Sequence, residues 1–172
     1  YLPINLIKIP ISNPKYAFSR LIDFFCKKKI DNDSTLINEN HSLVSSSAKI
    51  GKNVKIGPFS VIKSNVVIGD NVLIDERVTI SENCIIGNNT KIKSGVFIEC
   101  SVLEENVTIN QNSVIGKEGF GFLPIQEKTK MFSHIGGVII SKNTNIGSNS
   151  NIDRGFLEDT FLGEAVMIDN HV

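Results

Sequence analysis

Residues 47–98 read SAKI-GKNVKI-GPFSVI-KSNVVI-GDNVLI-DERVTI-SENCII-GNNTKI-KSGVFI, and every block ends in isoleucine. Ile50, Ile56, Ile62, Ile68, Ile74, Ile80, Ile86, Ile92 and Ile98 stand six residues apart. Isoleucine makes up 26 of the 172 residues, so nine in succession at one spacing is not chance. Two residues before each isoleucine stands Ala48, Val54, Ser60, Val66, Val72, Val78, Cys84, Thr90 or Val96, all small or β-branched. Three residues before it stands Ser47, Asn53, Phe59, Asn65, Asn71, Arg77, Asn83, Asn89 or Gly95, a series rich in Asn. Gly follows the isoleucine at Gly51, Gly57, Gly69 and Gly87.

A period of six matches neither 3.6 nor 3.5, which excludes an amphipathic helix and a coiled coil. Residues two apart in a strand face the same way, so the small residue and the isoleucine of each hexad both point inward. Asn and Gly adopt a left-handed backbone conformation most cheaply, which makes their position, just before the small residue, a corner. Each hexad is then one short strand plus one corner. Three hexads close a triangular coil of 18 residues, and successive coils stack at about 4.8 Å. Stacked hairpins would need two-residue turn signals, which are absent. The fold class expected is all-β, a parallel β-helix, and the hexapeptide form is similar to the left-handed β-helix family.

The breaks in the period are informative. Leu103 follows Ile98 by five, then Ile109 and Ile115 return at six. The period resumes at Ile140, Ile146 and Ile152, and shortens again before Leu162 and Ile168. Residues from 117 to about 137 are therefore expected to leave the coil as a loop, the usual place for function on a rigid solenoid. Ahead of the coil, Asn13-Pro14 reads as a helix N-cap and first helical position. Phe18, Leu21, Ile22 and Phe25 then form an apolar helical face, and Lys27, Lys28 and Lys29 suit its last turn. Tyr1–Ile11 is expected to be a strand. Residues 1–30 thus read as the end of a small α/β domain, 31–47 as a polar linker and 48–172 as the β-helix.

Composition narrows the function. Lys plus Arg and Asp plus Glu each total 18, giving a net formal charge of zero, which argues against a dedicated nucleic-acid binder. Hydrophobic residues at 41% and charged residues at 21% exclude a disordered chain. Trp is absent, so the core is aliphatic. No run reaches the length of a membrane-spanning helix, and Tyr1–Ile11 lacks the features of a signal peptide. Cys26, Cys84 and Cys100 have no metal spacing and are expected to be buried, reduced thiols of a cytosolic protein. Opening on Tyr1 and stopping at Val172 inside a pattern, the chain is expected to be a piece cut at both ends.

Three segments carry a more specific likeness: Asn13-Pro-Lys-Tyr-Ala-Phe18, Gly116-Lys-Glu-Gly-Phe-Gly-Phe122, and Asn151-Ile-Asp-Arg-Gly155 with Ile168-Asp-Asn170. In this order around hexapeptide repeats they resemble the UDP-3-O-(3-hydroxyacyl)glucosamine N-acyltransferases of lipid A synthesis. The resemblance implies a cytoplasmic homotrimer with active sites in clefts between adjacent β-helices. It implies transfer of an (R)-3-hydroxyacyl group from acyl carrier protein to the 2-amino group of a UDP-3-O-acylglucosamine. It further implies a histidine general base, a tetrahedral oxyanion, and no metal or cofactor beyond the acyl carrier protein thioester.

Residue by residue, the resemblance assigns Asn13 and Tyr16 to uridine, Phe120 and Phe122 to an acyl or pantetheine channel, and Asp169 and Asn170 to supporting or sugar-contacting roles. An aromatic face stacks on a base and an amide reads its edge. Asn13 also reads as a plain N-cap, Phe120 and Phe122 as loop packing, and Asp169-Asn170 as polar corner residues. Asp153 and Arg154 read as a structural corner or trimer contact. Of the three histidines, His41 falls in the linker and His134 where the loop rejoins the coil. His171 follows Asp-Asn directly, yet the family's base comes after the next inward aliphatic residue, beyond Val172. The catalytic role is therefore not carried to His171, and the piece alone is expected to be inactive. Two rivals stay open: another hexapeptide acyltransferase, such as the UDP-N-acetylglucosamine O-acyltransferase of the same pathway, and a non-catalytic β-helix scaffold.

Overall fold

A computed structural model describes residues 9–25, 35–37, 41–125 and 128–172. The hexads wind into the expected parallel β-helix, whose three sheets hold 7, 6 and 6 strands. The first face carries Leu43–Ser45, Val61–Ile62, Thr79–Ile80, Phe97–Ile98, Val114–Glu118 and Asn151–Arg154. Its seventh strand, Thr35–Ile37, runs antiparallel to Leu43–Ser45. The second face carries Lys49–Ile50, Val67–Ile68, Ile85–Ile86, Ser101–Leu103, Val138–Ile140 and Thr160–Leu162. The third carries Lys55–Ile56, Leu73–Ile74, Lys91–Ile92, Thr108–Ile109, Asn145–Ile146 and Met167–Ile168.

Register follows from the inward aliphatics. Ile62, Ile80, Ile98, Ile115 and Ile152 pair in turn on the first face. Ile50, Ile68, Ile86, Leu103, Ile140 and Leu162 do so on the second. A slip of one residue turns every inward side chain outward, so this apolar column specifies the pairing strongly. The small inward position is filled by Val66, Val72, Val78, Cys84 and Val96, each at most 1% exposed. Ser or Thr is tolerated there because a corner carbonyl accepts the hydroxyl: Ser60 donates to Asp75 O at 2.9 Å and Thr90 to Glu104 O at 3.2 Å.

The corners behave as the third hexad position predicts. Asn53, Phe59, Asn65, Asn71, Arg77, Asn83, Asn89 and Gly95 all have positive φ. Ser47 does not share it: its backbone N–H donates to Ser45 Oγ at 3.1 Å, a local turn that replaces the left-handed corner. Where the period shortens after Ile98, Cys100 takes the positive φ one residue early, which absorbs the missing residue.

Several expectations need correction. The coil begins at Leu43, which pairs with Val61, so the stretch expected as linker up to residue 47 already contains a rung. Ile50 is 41% exposed and Ile56 half-buried, since each lies in the outermost rung of its sheet. Cys84 is buried, but Cys100 is exposed at its corner; Cys26 lies outside the described residues. So do residues 1–8 of the expected first strand, while residues 9–11 are irregular, and so do Lys27, Lys28 and Lys29.

A second compact unit contains the helix α1, Pro14–Phe25, together with residues 120–133. The excursion is narrower than expected and is not a plain loop: Phe122–Ile125 and Lys128–Met131 form an antiparallel hairpin that packs with α1. Of the expected apolar helix face, Ile22 is buried, while Phe18 and Leu21 are exposed. The side chain of Phe25 lies outside the described residues. Ser19, one turn before Ile22, is also buried.

Position in the stack decides the cost of truncation. Ile80 is fully buried between Ile62 and Ile98, and Ile80→Ala should cost about 2–5 kcal/mol with an unchanged urea m-value. Ile50→Ala should cost less than half as much in the same denaturation series, because its side chain already meets solvent.

Candidate active site

Within the smaller unit, the start of α1 is built by Asn13. Its Oδ1 accepts the Tyr16 N–H at 3.1 Å, and its carbonyl accepts the Ala17 N–H at 3.0 Å. Asn13 is thus the N-cap that its position before Pro14 predicts. With Oδ1 committed to the helix, its Nδ2 amide is the group left to donate to a ligand. Tyr16 is 37% exposed. Tyr16, Ser19 and Asp23 lie on one stripe of α1, and Lys130 of the hairpin meets all three. Its Nζ is 2.6 Å from Asp23 Oδ2, 3.3 Å from Ser19 Oγ and 5.6 Å from the Tyr16 ring centroid. Ser133 Oγ donates to the other Asp23 oxygen at 3.3 Å. The Lys130 hydrogen bond holds the Asp23 carboxyl below its ordinary range, against the opposing effect of desolvation.

Phe120 and Phe122 belong to the same unit and pair edge-to-face, with centroids 4.4 Å apart at 67°. Phe120 is 91% exposed, so the pair presents apolar surface to solvent rather than filling a core.

On the β-helix, Asp169, Asn170 and His171 follow Ile168 as one corner. Asn170 Oδ1 accepts the Ser148 N–H of the preceding coil at 2.7 Å. Asp70 and Asn88 do the same for Lys52 and Asp70 at other corners, so this contact is part of the coil. His171 takes the left-handed φ of 59°, and its backbone N–H donates to Ser148 O at 2.9 Å. Asp169 differs from its neighbours. It lines an open groove with Asn110, Asn145, Gly147, Met167 and Ile168. Asn110 Nδ2 donates to Asn145 Oδ1 at 2.9 Å on that floor, so the groove offers amide and carboxylate groups beside the Met167 side chain.

A cluster that the sequence reading did not assemble stands where the chain leaves the coil. Gly116 has φ 82°, and a Cβ there would strike the Glu99 carbonyl oxygen. Glu118 Oε1 then accepts the N–H of His134, the residue at which the chain rejoins the coil, at 2.8 Å. Arg154 reaches Glu118 Oε2 at 3.7 Å, Glu99 Oε1 at 4.0 Å and Cys100 Sγ at 2.8 Å. Its Nε is buried without a hydrogen-bond partner. The His134 ring meets Phe156 edge-on at 5.5 Å. Asp153 and Arg154 therefore form no dyad: Arg154 turns to the acidic pair, and the Asp153 carbonyl accepts the Thr160 hydroxyl. The legible signal was the register, since Glu99, Glu118 and Arg154 each closely follow a stacked isoleucine of one face. Among the described residues no group of His, Cys, Asp and Glu is arranged to hold a metal, and no helix is long and apolar enough to cross a membrane.

Residues 47–82 and 65–100 match the family model described as bacterial transferase hexapeptide (six repeats). The UDP-3-O-acylglucosamine N-acyltransferase of Acinetobacter baylyi is 45% identical over 173 residues, covering 99% of this chain and 47% of that protein. Over almost its whole length the chain is thus similar to a UDP-3-O-acylglucosamine N-acyltransferase. The enzyme of that name from Saccharophagus degradans is 50% identical over 60 residues, covering 35% of this chain and 18% of that protein. The chain spans about half the length of the Acinetobacter baylyi relative. Among solved structures, the Arabidopsis UDP-N-acetylglucosamine acyltransferase superposes with TM-score 0.60 at 21% identity, over 78% of this chain and 47% of that one. A Caulobacter crescentus perosamine N-acetyltransferase, solved with CoA and GDP-perosamine, gives 0.54 at 14% identity, over 74% and 52%. These two likenesses concern the fold, the left-handed parallel β-helix.

The two described cysteines should separate chemically. Burial pushes the Cys84 thiol up to about 11, so at pH 8 it stays protonated as well as enclosed. Iodoacetamide at pH 8, followed by peptide mass spectrometry, should label Cys100 in the native protein and Cys84 only after denaturation. Equal labelling of both would contradict the closed coil around residue 84.

Proposed function

We propose that the intact protein transfers an (R)-3-hydroxyacyl group from acyl carrier protein to the 2-amino group of UDP-3-O-(3-hydroxyacyl)glucosamine, in the cytoplasm, as a step of lipid A synthesis. The observation that carries this is the 45% identity to the Acinetobacter baylyi N-acyltransferase across 99% of the chain. The chemistry asks little beyond positioning. The thioester supplies the driving force, the amine loses one proton to a base, and hydrogen-bond donors hold the oxyanion. That sequence of events needs neither metal nor organic cofactor.

Asn13 and Tyr16 hold the uridine in this reading: the aromatic ring stacks on the base, and the amide freed by capping donates to a carbonyl of its edge. The exposed Phe120–Phe122 pair offers apolar surface to an acyl or pantetheine chain. Asp169, the corner residue that lines the groove, contacts the sugar or orients the base, while Asn170 keeps the corner in shape. The base is the histidine that the family places beyond Val172. His171, with its backbone in a corner, serves the coil.

A homotrimer completes the reading. The outward residues Val67, Ile85, Val102, Ile139 and Phe161 stand in register on the second face. Val67 is 37%, Ile85 44% and Phe161 66% exposed, an apolar column that supports packing against a second copy.

The test assays the intact protein with 3-hydroxyacyl-acyl carrier protein and the UDP-linked acceptor. Alanine at the first histidine downstream of Val172 should lower kcat about 10²–10⁴-fold, and His171→Ala should leave turnover within a few-fold of wild type. Loss of turnover in His171→Ala alone would place the base within this chain. No transfer by the wild-type protein would refute the function.

A further inference from the structure

We propose that Lys130 is a positioning residue for nucleotide recognition: it holds the Tyr16 ring from one side and so makes the excursion hairpin part of the nucleotide site. The inference rests on the reading of Asn13 and Tyr16 as uridine contacts. Lys130 lies 114 residues from Tyr16 in the chain, yet its ammonium group sits 5.6 Å from the ring centroid. That is the range of a cation–π contact.

The ammonium group is fully engaged. Of its three N–H donors, one meets Asp23 Oδ2 at 2.6 Å and one Ser19 Oγ at 3.3 Å, which leaves the third for the ring. Its three partners occupy one stripe of α1, at steps of three and four residues, so a single side chain grips the helix along two turns. Ser133 holds the second Asp23 oxygen at 3.3 Å, which keeps the carboxylate from turning away. A charge neutralised in this way is not available to a phosphate. What Lys130 supplies is geometry.

The geometry bears on stacking. Lys130 lies over the Tyr16 ring, and the residue is still 37% exposed; in this proposal a flat base stacks on the face away from Lys130. A tyrosine free to change rotamer must be ordered when a ligand binds, and that cost weakens affinity; a ring already held avoids it. Asn13 fixes the same residue from its backbone side through the Tyr16 N–H. Helix cap and hairpin thus orient one aromatic ring between them.

The experiment titrates UDP and uridine separately by calorimetry into the intact protein and its Lys130→Met, Lys130→Arg, Asp23→Asn and Tyr16→Ala variants. Lys130→Met and Asp23→Asn should weaken both ligands by the same factor, roughly three- to tenfold, the effect of ordering one side chain. Lys130→Arg should restore most of the affinity. Lys130→Met made on top of Tyr16→Ala should cause no further loss, since the ring it positions is gone. In turnover, Lys130→Met should raise KM for the UDP-linked acceptor and leave kcat and the acyl-carrier donor KM unchanged. A hairpin that had merely lost its fold would change the donor terms as well, and that result overturns the proposal. A loss confined to UDP makes Lys130 a phosphate ligand and also overturns it. If wild type and Tyr16→Ala differ in UDP affinity while Lys130→Met matches wild type, Lys130 alone is removed from the site. If the wild-type protein binds neither ligand, the uridine reading of Asn13 and Tyr16 falls, and this inference with it.

Discussion

Each coil must close so that its inward isoleucine lands on the isoleucine of the next, and its backbone groups must be bonded at the same time. Rung amides donate forward to the following coil, as Gly51 N does to Ile68 O and Gly69 N to Ile86 O, both at 2.8 Å. Corner amides donate the other way, as Asn71 N does to Lys52 O at 2.8 Å and Asn89 N to Asp70 O at 2.9 Å. The left-handed corner residue makes both patterns possible in one turn of chain. Buried backbone left unpaired would cost about 1–3 kcal/mol per group, so corners and rungs stand or fall together.

This constraint partitions the side chains. Inward positions accept only an aliphatic residue or a small one, with Ser and Thr admitted where a carbonyl accepts their hydroxyl. Chemistry is confined to outward positions, to corners, and to places where the coil opens. The groove beside Asp169 is of the first two kinds. The excursion is the third, and it requires repair of the wall it leaves: Gly116 lets the chain pass close to the Glu99 carbonyl, and Glu118 joins the departing strand to the returning His134. Arg154 sits among Glu99, Glu118 and Cys100, a cation beside the partly buried acidic groups of the opened wall, and Lys117 adds a second one 3.7 Å from Glu99 Oε1.

The site was less legible than the coil for a physical reason. Asn13 could be read as an N-cap because capping depends on neighbours within one turn. Tyr16 and Lys130 could not be joined by any local rule, since the ion pair of Lys130 with Asp23 spans 107 residues. Asn170 and Asp169 look alike as a polar pair, but the stack separates them: the coil beneath consumes the Asn170 oxygen, and Asp169 faces the groove. His171 carries an imidazole, which suggests chemistry, and it stands at the third residue after an inward aliphatic, which makes its backbone a corner.

What the sequence determined alone is everything that repeats. A period of six, with its small residue, isoleucine and Asn-rich corner, specifies strand, turn and stacking register, because each depends on spacing along a few residues of chain. Tertiary structure decided what occurs once. It brought the hairpin of residues 120–133 to α1, gave Arg154 to Glu99 and Glu118, and exposed Ile50 at the end of its ladder while burying Ile80 in the middle. Those outcomes depend on which segments meet across long stretches of chain, and no local periodicity encodes a single long-range encounter.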